Sequence, residues 1–303
     1  MILLADIFNF DKLLQTHPGK RIKLRFNTSW NDEIEPGNVV HCSYKEMYIN
    51  QTPGWNQEIL SMGSESKKRL QNNDIVFQFI KIAEPDKWLF VGASDIIDTD
   101  NCMDGFNKLT GRSFKYARVK NLPEYDKFAG RVIVDWKNKP QQFFYTSTEI
   151  VNSVQVREIL SEHYLTTGDE FPGYENVCKS YLELKHSIKN NEWKTALSSV
   201  YGVYVITDTK NGKQYVGSAY GEDGIFGRWS VYLKNGYETS SDYPNKRLKE
   251  LVKTKGIDYV KDNFQYAIIE TFPKTENGKE KALQRESYWK EVLHTREFGY
   301  NDN

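Results

Sequence analysis

Apolar and polar positions alternate strictly in Arg21-Ile22-Lys23-Leu24-Arg25-Phe26, which predicts a strand with one basic and one apolar face. Four further runs have strand texture: Ile75 to Ile80, Trp88 to Gly92, Ser113 to Val119 and Arg131 to Trp136. Gly, Pro, Asn and Asp punctuate them, as expected of a small open barrel or sandwich. Helical spacing is expected on either side of this stretch. Ala5 to Gln15 carries Ile7, Phe8, Leu13 and Leu14 as an apolar side, and Val154 to Tyr164 reads as a second helix. Thr166 to Asn176 combines turn formers with little periodicity and marks a boundary. Two short helices follow, Lys179 to Lys189 and Glu192 to Leu197. The expected organisation is a β-rich domain over 1–165, a helical connector over 166–198 and a second domain over 199–303.

The second domain reads hairpin, helix, helix, strand, helix. The hairpin runs from Gly202 to Val216, and Asn211-Gly212 predicts its turn because both residues tolerate positive φ. A helix surrounds Arg228, another spans Asn245 to Lys255, a strand spans Phe264 to Ile269, and a long helix spans Lys279 to Leu293. The fold class expected is α+β, with a three-stranded antiparallel sheet flanked by helices.

Composition narrows the chemistry. The 303 residues balance 41 basic against 41 acidic side chains, so bulk charge does not coat nucleic acid while local basic patches remain. One such patch is Lys246, Arg247, Lys249 and Lys253, and another is Arg21, Lys23 and Arg25. Cys42, Cys102 and Cys178 are far apart and give no zinc-ribbon spacing, and the five histidines form no ligand pair. No window approaches a membrane span and the first residues lack a secretory core, so a cytoplasmic protein with no membrane partner is expected.

The candidate chemistry lies in two tripeptides, Gly202-Val203-Tyr204 and Tyr215-Val216-Gly217, whose tyrosines are eleven residues apart. Two phenols on neighbouring strands ahead of a helix with Arg228 point to phosphate-ester chemistry, since a guanidinium fork suits phosphate oxygens. Tyr232 lies four residues after Arg228, on the same helix face. With Gly227-Arg228-Trp229, the run Arg285 to Lys290 and Gly299-Tyr300-Asn301 in the same order, the last hundred residues or so resemble a GIY-YIG nuclease domain. The resemblance covers about a third of the chain. Val216 and Val203 stand at the central motif positions, Val216 where Ile is usual, and both keep β-branching.

That resemblance implies a metal-dependent DNA endonuclease, with restriction or defence as its setting. It implies that Glu286 binds a single Mg²⁺ (or Mn²⁺), that Tyr204 is the general base with Tyr215 orienting water or phosphate, and that Arg228 and Tyr232 attend the phosphate. Asn301 would hydrogen-bond near the site and pin the tail. One such site cuts one strand, so double-strand cleavage would require a homodimer or sequential nicking. Two alternatives stand beside this reading: a DNA-binding protein with a silent or partner-switched site, and a repair nuclease for branched DNA. Family members usually carry a targeting module, and the first domain is the candidate. Arg21, Lys23 and Arg25, with Phe114, Tyr116, Arg118 and Lys120, would meet DNA there, unless they are merely charged faces of an ordinary barrel. Lys246, Arg247, Lys249 and Lys253 would contact backbone beside the nuclease site.

Overall fold

The computed structural model describes residues 2–63, 69–83, 86–137, 143–234 and 245–302. Its contacts divide the chain into two units, Met1–Leu165 and Thr166–Asn303. Both are mixed α+β.

The first unit contains β1 (Arg21–Asn27), β2 (Trp30–Glu35), β3 (Asn38–Cys42), β4 (Asp74–Ala83), β5 (Lys87–Asn107), β6 (Arg112–Asn121), β7 (Val132–Asp135), β8 (Phe144–Tyr145) and β9 (Gln155–Ile159). Its helices are α1 (Leu4–Phe8), α2 (Phe10–Thr16), α3 (Tyr44–Ile49), α4 (Trp55–Glu58) and α5 (Thr148–Val151), with α6 (Tyr164–Thr167) at the unit boundary. Seven strands form one sheet in the order β8-β1-β4-β5-β7-β9, with β6 also on β5, while β2 and β3 pair separately. β1 runs parallel to β4. A single mixed sheet covered on both faces thus replaces the expected barrel or sandwich. One face packs Leu24, Phe26, Phe77, Phe79 and Phe90 against Phe8, Phe10 and Leu13 of the N-terminal helices. The other packs Val76, Ile80 and Leu89 against Tyr44, Met47 and Leu60. Each buried aromatic or aliphatic side chain contributes about 1.5–3 kcal/mol.

Two predicted helices differ. Ala5 to Gln15 is broken at Asn9, which takes a left-handed conformation (φ 52°) and caps α2 by accepting from Lys12. Val154 to Tyr164 contains β9 in place of the expected helix: β9 pairs antiparallel with β7 through Gln155↔Asp135 and Val156↔Val134. The β-branched alternation of Val154 and Val156 fits a sheet edge better than a helix.

The basic row of β1 is a larger correction. Because both sheet faces are covered, Lys23 (6% exposed) and Arg25 (3%) lie inside. Arg21 Nε and Lys23 Nζ each reach a different oxygen of Asp74 at 2.7 Å, and Asp74 is fully buried. Arg25 donates to the carbonyl of Ile59. Lys23 and Arg25 therefore do not form the solvent-facing basic row that alternation alone predicts, while Arg21 stays half-exposed beside Asp74. On β6, by contrast, Arg118 and Lys120 remain exposed, beside half-buried Phe114 and Tyr116.

The second unit contains β10 (Cys178–Ser180), β11 (Val200–Asp208), β12 (Gln214–Ala219) and β13 (Phe264–Pro273). Its helices are α7 (Tyr181–Ser187), α8 (Asn191–Ser198), α9 (Gly224–Leu233), α10 (Lys246–Lys255), α11 (Ile257–Asn263) and α12 (Glu276–Val292). The sheet order is β10-β13-β11-β12, antiparallel throughout. The fourth strand comes from the expected connector, which is integral to this unit: Tyr181, Leu184, Trp193 and Leu197 share one core with Tyr204, Trp229, Tyr232 and Tyr266. A reciprocal cap between Ser180 and Glu183 starts α7 immediately after β10. No helix among the described residues is long and apolar enough to cross a membrane.

Candidate active site

The hairpin that carries the two tripeptides is set by Asp208 and Gly212. Gly212 adopts φ 73°, and its N–H donates to the Asp208 carbonyl at 2.8 Å. Asp208 is fully buried and accepts from Tyr300 Oη at 2.6 Å and Tyr259 Oη at 2.9 Å. Only Gly212 uses a left-handed conformation, whereas Asn211 donates its side chain to Asp208 at 2.9 Å.

Register then aligns the phenols. Tyr204 pairs with Gly217 and Ile206 with Tyr215, so the two tyrosines are diagonal neighbours on one sheet face, ring centroids 6.4 Å apart. Gly217 makes this geometry accessible, because a Cβ there would lie 2.5 Å from Tyr204 Oη and 2.6 Å from its Cζ. Gly217→Ala is therefore expected to push the ring from its place and destabilise the unit by about 1–3 kcal/mol. Urea unfolding followed by tryptophan fluorescence checks this, and an unchanged midpoint would refute the close approach.

α9 lies against the same face and brings Tyr232 to Tyr204, with hydroxyl oxygens 3.1 Å apart. Tyr215 is hydrogen-bonded to Tyr232 and to Asn245, the residue that caps α10. Burial pushes the Tyr215 phenol above its ordinary pKa and the Glu286 charge adds to this, while Tyr232, Arg228 and Asn245 pull it down. Tyr215 thus senses both the guanidinium and the carboxylate. Tyr204, only 1% exposed, sits behind it in the hydroxyl chain. Arg228 is half-buried one helical turn before Tyr232 and lines a cleft of about 270 Å³ with Gly221, Glu222, Asp223 and Gly227.

Glu286 lies within α12, on the helix's sheet-facing side. Ser218 Oγ donates to its Oε2, and Lys290 Nζ meets its Oε1 at 2.8 Å. Lys290 is 6% exposed, so this pair is largely shielded from water. Arg285 and Trp289 donate to Glu270 on β13, bracing α12 on both sides of Glu286. Among the described residues no group of three or more His, Cys, Asp or Glu could hold a metal ion. A site here would have one protein carboxylate. Ser218 and Lys290 each occupy one lone pair of Glu286, which leaves one on each oxygen. That donor set fits a hard cation that keeps most of its water.

The other predicted residues fall outside this cluster. Asn301 accepts from Val216 N and donates to Val216 O, both at 2.8 Å, so its amide extends the edge of β12 like another strand residue. Arg247 pairs with Asp302 at 2.7 Å and donates to the carbonyls of Arg296 and Gly299, clamping the C-terminal segment. Lys246 and Lys253 are exposed on α10, and Lys249 is half-buried. Arg21, Lys23 and Arg25 lie in the first unit, Lys23 and Arg25 buried and Arg21 half-exposed. Sequence reasoning missed Asn245 and Lys290. Both carry a signal, since Asn245 precedes a helix as a cap and Lys290 stands four residues after Glu286.

No family model matches the chain, and no curated protein matches it. Two solved structures are similar to part of it. A mutant of the catalytic domain of intron endonuclease I-TevI is 25% identical over 34% of this chain and 94% of that one, with a TM-score of 0.27. The catalytic domain of homing endonuclease I-TevI is 25% identical over 33% of this chain and 96% of that one, with a TM-score of 0.26.

Proposed function

We propose that the second unit is a GIY-YIG-type endonuclease site that hydrolyses phosphodiester bonds in DNA. The observation that supports it is convergence on one phenol: Tyr215 is bonded to Tyr232, which contacts Tyr204, and it is coupled to both Arg228 and Glu286. Hydrolysis needs a base for water, a cation for phosphate oxygens and help for the leaving oxygen. Arg228 binds the non-bridging oxygens through its planar fork. Tyr215 accepts the proton of the attacking water as the bond from water oxygen to phosphorus forms and the bond to the 3′ oxygen breaks. Tyr232 and Asn245 hold that phenol in place and stabilise its ionised form, and Tyr204 holds Tyr232. Glu286 would hold a single Mg²⁺ or Mn²⁺ through its remaining lone pairs, and such an ion supplies charge neutralisation at the phosphate and the departing oxygen. Exposed Lys246 and Lys253 on α10 suit backbone phosphates. A restriction-type setting rests on the sequence resemblance alone.

The test is supercoiled plasmid incubated with the full chain and Mg²⁺ or Mn²⁺. A metal-dependent 5′-phosphate product is expected, reduced about 10²–10⁴-fold by Tyr215→Phe. Because burial raises the Tyr215 pKa, the free phenol is protonated at neutral pH, so kcat/KM should climb roughly tenfold per unit from about pH 7 to pH 9 without a plateau. A flat profile would remove Tyr215 as the base. The burial of Tyr204 and the Lys290–Glu286 pair favour a second reading, a site opened only by a partner. Salt-sensitive DNA binding without product would select it.

A further inference from the structure

The first unit contains a cavity of about 350 Å³ whose lining includes Arg25, Arg69, Trp30, Tyr44, Glu58 and Phe144. That volume falls in the range of small-molecule sites, roughly 300–1,000 Å³. Its charge is unbalanced. Arg25 is almost wholly buried and its guanidinium donates to neutral acceptors, the carbonyls of Ile59 and Ser61 and the Ser61 hydroxyl. Arg69 reaches the same hydroxyl at 3.3 Å. Glu58 is the carboxylate on this lining, and its hydrogen bond comes from Asn107 at 3.4 Å rather than from either arginine. Burial raises the Glu58 carboxyl above its ordinary pKa, while Asn107, Arg25 and Arg69 pull it down. Among the described residues, two guanidiniums thus face one carboxylate, and the buried Arg25 makes its hydrogen bonds to neutral acceptors only, which is costly for a desolvated cation. An anionic ligand would offset that cost.

The walls specify more than an anion. Arg25 lies over the face of Phe144 at 5.1 Å, and the rings of Trp30 and Tyr44 are 4.9 Å apart at 44°. Flat π surfaces beside guanidiniums suit a planar ring as well as a phosphate. Asn27 also lines the cavity, and its amide nitrogen is spent on Gln78 and Phe79 at 3.1 and 2.9 Å. Its oxygen is left to accept from an exocyclic amino group.

We propose that this cavity binds one nucleotide, its base against the aromatic walls and its phosphate on Arg69 and Arg25. The nucleotide arrives free or as a residue extruded from DNA, where the unstacking cost is a few kcal/mol. The proposal does not depend on the nuclease reading, because binding is measured without metal.

Two titrations of the full chain in EDTA test it. Calorimetry uses deoxynucleoside 5′-monophosphates, and fluorescence uses a duplex with 2-aminopurine at a mismatch, which brightens when the base leaves the stack. A saturable calorimetric signal alone assigns a free nucleotide, and a fluorescence rise assigns an extruded one. Either should weaken at least tenfold in Arg69→Gln and in Trp30→Ala. Arg69 is exposed, so its replacement leaves the fold intact, and a melting curve verifies this. Silence in both assays overturns the proposal, as does a response unchanged by Arg69→Gln. Inorganic phosphate binding as tightly as the mononucleotides would also overturn it.

Discussion

Glu286→Gln should abolish metal-dependent cleavage, lowering the rate by about 10³-fold or more, which corresponds to roughly 4 kcal/mol of lost transition-state stabilisation. The substitution preserves shape and the hydroxyl contact from Ser218, but removes the charge that would hold the ion. It also takes from Lys290, a residue only 6% exposed, the charged partner that it meets at 2.8 Å. A stability loss of about 1–3 kcal/mol is therefore expected alongside the catalytic loss. Glu286→Gln with Lys290→Met separates the two effects. The double variant should regain most of the stability and none of the cleavage. Plasmid nicking at fixed Mg²⁺, with melting curves for each variant, reads both. Cleavage by Glu286→Gln within tenfold of the wild type would remove the carboxylate from the mechanism.

Much of the local structure was legible because its determinants are local. The strands β1, β4, β5, β6 and β7 each fall on a predicted run, and the hairpin turns at the expected Asn211-Gly212 step, though only Gly212 takes positive φ. The paired phenols were legible too, since a hairpin brings positions eleven apart onto one sheet face through the register Tyr204↔Gly217 and Ile206↔Tyr215. What failed depended on partners remote in sequence. β10 has only three residues, and exists because Lys179 meets Tyr266 on β13. The alternation in β1 identified two faces correctly but not their surroundings: Arg25 is covered by Ile59 and Ser61, and Lys23 by the Arg69 carbonyl. Periodicity distinguishes two faces of a strand and cannot tell water from buried carbonyls and carboxylates. Arg247 is a different case, since it is exposed. On a basic helix it is exposed like Lys246 and Lys253, yet it also bonds Asp302 and two tail carbonyls, partners that the helix pattern does not reveal.

Asp74→Asn should be among the most damaging single changes in the first unit, costing about 3–5 kcal/mol. Asp74 is fully buried and its two oxygens answer Arg21, Lys23 and the Gln71 amide at 2.7, 2.7 and 2.8 Å. Asparagine keeps the size but leaves the Lys23 ammonium desolvated, between the like charges of Arg21 and Arg25. Burial already lowers the Lys23 pKa below its ordinary 10.5, and Asp74 is what holds it up. In the variant it must fall further. A base whose pKa is lower folded than unfolded binds fewer protons in the native state, so stability rises with pH in that interval. The deficit of Asp74→Asn should therefore shrink as pH climbs toward 10.5, where the unfolded lysine also loses its proton. Lys23→Met added to Asp74→Asn should recover part of the loss at neutral pH, since it removes the stranded charge. Hydrogen exchange at the β1 and β4 amides follows this unit specifically. A loss below about 1 kcal/mol that is independent of pH would mean water reaches Lys23, and that the basic face of β1 is open after all.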